Sequence, residues 1–245
     1  MNLLETRGLV KKYSGRVVVD HVSLRVAPAE IVGLLGRNGA GKTTTFRMTI
    51  GMVTPDAGSV VFDGTEVTNM PMYKRARRGM GYLSQEPSIF QRLTVEENLL
   101  AVLESMTMSR RQRLKRAEEL MDEFGLTYLR RQLARTLSGG ERRKLEIARS
   151  LITNPTLVLL DEPFSGVDPI AVESLQHEIR SLRDQGISVL LTDHNVRETL
   201  SVTDRSYIIF DGRVLRDGTP RELVNDPLVR KTYLGSRFSG NEFDR

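Results

Sequence analysis

The chain has 245 residues, no cysteine, and 36 lysine and arginine residues against 31 aspartate and glutamate, a formal charge of +5. Without cysteine there is no disulfide, thiolate metal site or cysteine nucleophile, and this length suits one large domain that buries its core without covalent staples. The first seven residues lack the apolar core of a signal peptide, and no apolar run nears the roughly 18 residues needed to span a bilayer. The expectation is a soluble protein, or one held at a membrane by other chains.

Residues 2–26 read as strands, with Val17, Val18 and Val19 in one run and Val22, Leu24 and Val26 alternating in the next. Residues 30–35 form a short apolar run before Gly36-Arg37-Asn38-Gly39-Ala40-Gly41-Lys42-Thr43, and 43–50 can continue as a helix. This octet fits G-x-x-x-x-G-K-[ST], the phosphate-cradling P-loop. Glycines let backbone N–H groups face an anion, and the helix N-terminus adds positive dipole. Lys42 then reaches the terminal phosphates of a nucleotide and Thr43 ligates Mg2+.

Val60-Val61-Phe62, Asp63-Gly64 and Thr65-Glu66-Val67 read as a hairpin, because a tight primed turn needs positive φ. Lys74 to Arg78 is the first of three basic clusters; the others span Arg110 to Arg116 and Arg142 to Lys144. They read as solvated helix faces, near anionic lipid headgroups, or as nucleic-acid contacts. Few aromatics accompany them, so no nucleic-acid partner is expected. Gly81-Tyr82-Leu83 is a short strand.

From about 94 to 153 the periodicity becomes helical, and an inserted helical subdomain is expected over about 88–153. Thr94 and Glu97 suit a capping box. A second helix over 109–124 carries Leu114, Ala117, Leu120, Met121 and Phe124 as its apolar stripe. Leu137-Ser138-Gly139-Gly140-Glu141 combines a Ser138/Glu141 capping box with two glycines that cost helix stability. That pairing points to a second phosphate-facing helix N-terminus.

Strand–helix alternation then resumes, with apolar runs at 157–160 and 187–191 typical of a parallel sheet. Asp161-Glu162 follows the first run, where a carboxylate beside a P-loop holds Mg2+. Strand alternation would aim the two acids opposite ways, one to the metal and one to a water. His194 follows the second run, on the side where α/β sites lie, while His21 and His177 read as surface. Asp211-Gly212 marks a second hairpin, and 236–245 is a polar, frayed tail.

Gly36 to Thr43, Gln85, Leu137 to Glu141, Asp161-Glu162, Ser165-Gly166-Val167-Asp168 and His194 resemble, in order and spacing, the ABC-type ATPases, from Tyr13 to about Gly235. The resemblance implies an α/β fold: a P-loop NTPase core with a mostly parallel sheet, an N-terminal antiparallel β subdomain and the helical insertion, all in one domain over 1–235. It implies that Tyr13 stacks on adenine, that Arg37, Asn38, Gly39, Ala40, Gly41, Lys42, Thr43 and Thr44 hold ATP, and that Thr43, Gln85 and Asp161 hold Mg2+. Glu162 polarises the attacking water, with Gln85, His194 and Lys42 also catalytic. Ser138, Gly139, Gly140 and Glu141 meet the γ-phosphate held by a second copy, and Asp168 links the two sites. Arg37 and Ser165-Gly166-Val167-Asp168 depart from commoner family wording without losing the backbone-critical residues.

A homodimer is implied, driving two transmembrane permease subunits that dock near Phe90, Ile89 and Leu93, at the cytoplasmic face of the inner membrane. The segments around Arg75 to Phe90, Asp161 to Ile170 and Thr192 to Leu200, with Tyr233-Leu234-Gly235, are most similar to the ATPases of lipopolysaccharide export. Branched-chain amino-acid importer ATPases are the alternative. A nucleic-acid-associated ABC ATPase is the alternative of another class.

Overall fold

The computed structural model describes residues 2–235 and Phe238, so nearly all of the expected polar tail over 236–245 lies outside the described residues. Leu4–Tyr13 (β1), Arg16–Val26 (β2), Ala57–Phe62 (β4) and Thr65–Glu66 (β5) make an antiparallel sheet in the order β2-β1-β4-β5. The two valine-rich runs lie on one strand, β2. His21 at φ 55° lies between them, and three residues from Val19 to Val22 span what two do from Leu9 to Lys11 on β1. Asp63 adopts φ 47° and Gly64 φ 67°, so the β4–β5 hairpin turns as its Asp-Gly pair requires.

The second sheet holds Ile31–Gly36 (β3), Met80–Leu83 (β6), Leu157–Asp161 (β7), Ser188–Thr192 (β8), Arg205–Phe210 (β9) and Arg213–Gly218 (β10). Its order is β10-β9-β3-β8-β7-β6, parallel except for the β9–β10 edge hairpin. Both faces are covered, which is why its strands read as unbroken apolar runs. On β7, Val158 and Leu160 enter one core while Leu157 and Leu159 enter the other. The first core takes the helices between β6 and β7; the second joins the antiparallel sheet to Lys42–Ile50 (α1).

Between β6 and β7 lie Val95–Leu103 (α3), Arg110–Glu123 (α4) and Gly139–Ser150 (α5). Each starts at a reciprocal capping box: Thr94/Glu97, Ser109/Gln112 and Ser138/Glu141. The apolar stripe of α4 reaches the core through Ala117, Leu120, Met121 and Phe124, but Leu114 is exposed. It lies in the second turn, at the rim of a cleft shared with Glu104, Arg110 and Arg113.

Two of the three basic clusters are not continuous solvated faces. On Met72–Arg77 (α2), Arg75 is 1% exposed and donates to the carbonyls of Met48, Thr49, Thr68 and Met70. Two of those carbonyls belong to the last turn of α1, whose orphan acceptors and negative dipole end suit a buried cation. Burial with no carboxylate partner among those contacts pulls the Arg75 guanidinium down to about 10. In the third cluster, Arg143 is equally inward and Lys144 reaches Glu178 at 3.4 Å.

Candidate nucleotide site

The carboxyl ends of β3, β6, β7 and β8 share one edge of the parallel sheet, the edge at which open α/β sheets bind ligands. At the end of β3 the chain turns through Gly36, Gly39 and Gly41 into α1. Gly41 holds φ 104°, and a Cβ there would stand 2.7 Å from the carbonyl of Val18, so the loop closes against β2 only with glycine. A cavity of about 500 Å³ opens over it, lined by Val18, Asn38, Gly39, Gly41, Lys42, Thr43, Thr44, Gln85, Glu162 and His194.

Lys42 is buried, and its Nζ donates to the carbonyls of Gly36 at 2.7 Å and Arg37 at 3.1 Å. Desolvation lowers its affinity for its proton, while Glu162, Asp161 and Asp193 pull the other way. A cation held by carbonyls at the mouth of an anion cradle is ready to exchange them for phosphate oxygens.

Glu162 does not continue the alternation of β7. Its φ is 50°, its N–H donates to the Thr192 carbonyl at 2.7 Å, and its side chain swings into the cavity. There Gln85 Nε2 donates to Glu162 Oε2 at 2.9 Å, and His194 Nδ1 stands 3.4 Å from the same oxygen. Three residues from three strand exits thus meet at one carboxylate oxygen.

Asp161 lies beneath, 1% exposed. Burial raises its carboxyl above the usual range, and the neighbouring Glu162 adds to the effect. Tyr82 reaches Oδ2 at 3.4 Å, but Oδ1 is buried without a hydrogen-bond partner. An orphaned buried carboxylate oxygen one residue before the cavity-lining Glu162 fits an oxygen-seeking divalent cation such as Mg2+. No cluster of three or more acidic or histidine side chains that could hold a metal occurs among the described residues; a nucleotide-borne metal needs none, because phosphates supply the other oxygens.

Not every expected site residue lines this cavity. Tyr13, at the exposed end of β1 with Lys11 Nζ 5.7 Å from its ring centroid, does not line the cavity. Nor do Arg37, Ala40 and Asp161, nor Ser138, Gly139, Gly140 and Glu141 at the start of α5. The paired glycines there also have a reason within the chain. A Cβ on Gly139 would stand 2.8 Å from the Gly166 carbonyl, and one on Gly140 would stand 2.6 Å from the Ala171 Cβ. Asp168 caps Pro169–Asp184 (α6) by accepting from the Ala171 N–H at 3.0 Å.

Three contributors were missed by sequence reasoning. Val18 walls the cavity from another sheet, and nothing in its local sequence marks it. Asp193 is fully buried, accepts from the Phe164 and Asn195 N–H groups, and stands 3.3 Å from His194 Nδ1. Arg143 donates to the carbonyls of Ser84, Asp161, Glu162 and Pro163. Asp193 had a signal in its place beside His194 after an apolar strand; Arg143 had only its helical phase.

A model of the ABC transporter family matches residues 19–165. The lipopolysaccharide export system ATP-binding protein LptB of Escherichia coli K12 is 53% identical over 239 residues, covering 97% of this chain and 99% of its own length. Among solved structures, a nucleotide-free ATP-binding cassette of an ABC transporter superposes with a TM-score of 0.87 at 27% identity, covering 96% of this chain and all of its own. A dimeric post-hydrolysis cassette bound to ADP and Pi superposes at 0.78 with 25% identity, covering 88% and 98%.

Proposed function

The chain belongs to the ABC transporter family of ATP-binding proteins, and from that premise we propose that it is the ATPase of a lipopolysaccharide exporter, working as a homodimer on separate transmembrane subunits. It binds ATP and hydrolyses it. The lipopolysaccharide cargo follows from the likeness to LptB across nearly the full length of both chains. The dimer is supported by the likeness to a dimeric cassette. No helix among the described residues is long and apolar enough to cross a membrane. The spans therefore come from partner subunits, and the chain sits with them at the cytoplasmic face of the inner membrane.

The observation that carries the reading is Glu162, turned out of β7 so that Gln85 and His194 meet its Oε2 at the P-loop mouth. In this reading Lys42 leaves its two carbonyls to neutralise the terminal phosphates, and the loop from Arg37 to Thr44 wraps them with N–H groups. Glu162 orients and polarises the attacking water, with Oε2 steadied by Gln85 and His194 so that Oε1 is free to accept from it. Thr43, Gln85 and Asp161 would hold Mg2+, which when bound neutralises phosphate charge. Tyr13 stacks on the adenine. The α5 start, Ser138 to Glu141, receives the γ-phosphate from the opposite copy, and Asp168 lies in the loop joining the two sites. Permease subunits dock beside Phe90.

Glu162→Gln tests the reading. It is expected to bind ATP, lose turnover by a factor of 100 or more on the order of what a lost general base costs, and accumulate an ATP-bound dimer on light scattering with Mg2+. A variant that stays monomeric, or turns over at the parental rate, overturns it. For the cargo, the chain should co-purify from detergent-solubilised membranes with transmembrane subunits that carry lipopolysaccharide; amino-acid permeases in their place would overturn that assignment.

A further inference from the structure

Tyr128 sits on the short turn Thr127–Leu129 and is 77% exposed, yet its hydroxyl donates to Glu141 Oε1 at 3.0 Å. The turn is anchored independently of it: Leu129 is buried, and the Thr127 hydroxyl donates to Asp122 Oδ1. Glu141 is the third residue of α5, and its other oxygen, Oε2, accepts from both the N–H and the hydroxyl of Ser138 at 2.8 Å. The Ser138 hydroxyl proton is therefore committed to Glu141.

A serine hydroxyl has one proton to donate. To give it to a phosphate oxygen, Ser138 must turn away from Glu141, whose carboxylate then keeps the Ser138 N–H and the Tyr128 phenol. In the separate chain, water replaces any donor that is lost. Where a second copy closing over Ser138 excludes that water, a carboxylate short of donors is costly. The Glu141 bond also raises the Tyr128 phenol above its ordinary value.

We propose that Tyr128 is a positioning residue for the Ser138–Gly140 half-site: its phenol holds Glu141 satisfied while the Ser138 hydroxyl swings to the terminal phosphate of ATP carried by a second copy. The proposal rests on the dimer reading above. Its structural signature is one phenol on the outer oxygen of the capping carboxylate, with the serine on the inner one.

The test is Tyr128→Phe, which keeps the ring and the turn, introduced into the full-length Glu162→Gln chain. Sedimentation with ATP and Mg2+ should show the dimer dissociation constant raised on the order of tenfold, the loss counting at two symmetric sites. ADP affinity of the single chain should be unchanged, since Tyr128 does not line the P-loop cavity. With native Glu162, specific ATPase activity should require more protein to reach its plateau, while the plateau rate is retained. A purely structural role would lower the plateau instead. Equal dimer constants overturn the proposal, and so does a fall in ADP affinity. If the Glu162→Gln parent itself fails to dimerise, the dimer reading fails first and takes this proposal with it.

Discussion

Arg143 and Glu146, three residues apart on α5, form a buried ion pair, with Arg143 Nη1 2.9 Å from Glu146 Oε2 and the side chains 6% and 3% exposed. The pair ties both flanks of the site to one helix. Arg143 donates to the carbonyls of Ser84, Asp161, Glu162 and Pro163, and Glu146 Oε1 accepts from the Ser88 N–H. Gln85 and Glu162 each adjoin a residue so held, which keeps their 2.9 Å bond in register. The same helix has Ser138 as its N-cap.

Arg143→Met should lower stability by about 3–5 kcal/mol, because it strands Glu146 as an unpaired buried charge. For a chain of this size that is roughly 10 °C in melting temperature. Adding Glu146→Leu should recover only the share of the melting temperature lost to the unpaired charge, and none of the turnover, since the carbonyls of Ser84, Asp161, Glu162 and Pro163 stay without their donor. Thermal unfolding and ATPase assays on the single and double variants check this. A double variant that melts as low as the single one would mean the loss is not one of charge pairing.

Asp161→Asn should stabilise the nucleotide-free protein while weakening Mg2+-dependent ATP binding. Burial and Glu162 raise the Asp161 carboxyl, so the folded state holds its proton more tightly than the unfolded chain does. Stability from such a group is present at low pH and declines as pH rises through the raised value. At neutral pH the asparagine form should therefore melt higher, and the gap should vanish as pH falls toward the ordinary carboxylate value of roughly 4. Melting curves across pH, without nucleotide, measure it; a gap that widens on acidification contradicts the assignment.

Ile89 and Phe90 are adjacent but do different things. Ile89 is buried in the core of the helical region, whereas Phe90 is 46% exposed under the Arg149 guanidinium at 4.6 Å. Phe90→Ala removes a cation–π contact and should cost the isolated protein only about 1 kcal/mol, leaving its own ATPase activity in place. Co-purification with membrane subunits should fall severalfold, as expected for an exposed aromatic anchor. Ile89→Ala should do the reverse, costing the fold about 2–4 kcal/mol. Undiminished co-purification of Phe90→Ala would remove that residue from the docking surface.

What the sequence determined by itself is what local backbone geometry encodes. The glycine spacing from Gly36 to Gly41 dictates a loop that faces inward whatever surrounds it, and Ser138 with Glu141 caps its helix within one turn. The Asp-Gly pairs set two hairpins, and unbroken apolar runs such as 157–160 belong to a sheet covered on both faces. What the tertiary structure decided depends on partners far along the chain. Gln85 and Glu162 are 77 residues apart, and the strand rule that parted Asp161 from Glu162 gives way to a left-handed turn locked by the Thr192 carbonyl. Arg75 and Arg143 sat in basic clusters that read as solvated. They are buried because helix and strand ends leave carbonyls unpaired inside the molecule, and a guanidinium with five donors can satisfy several of them at once. Which carbonyls are left unpaired, and where, is known only once the strands are ordered.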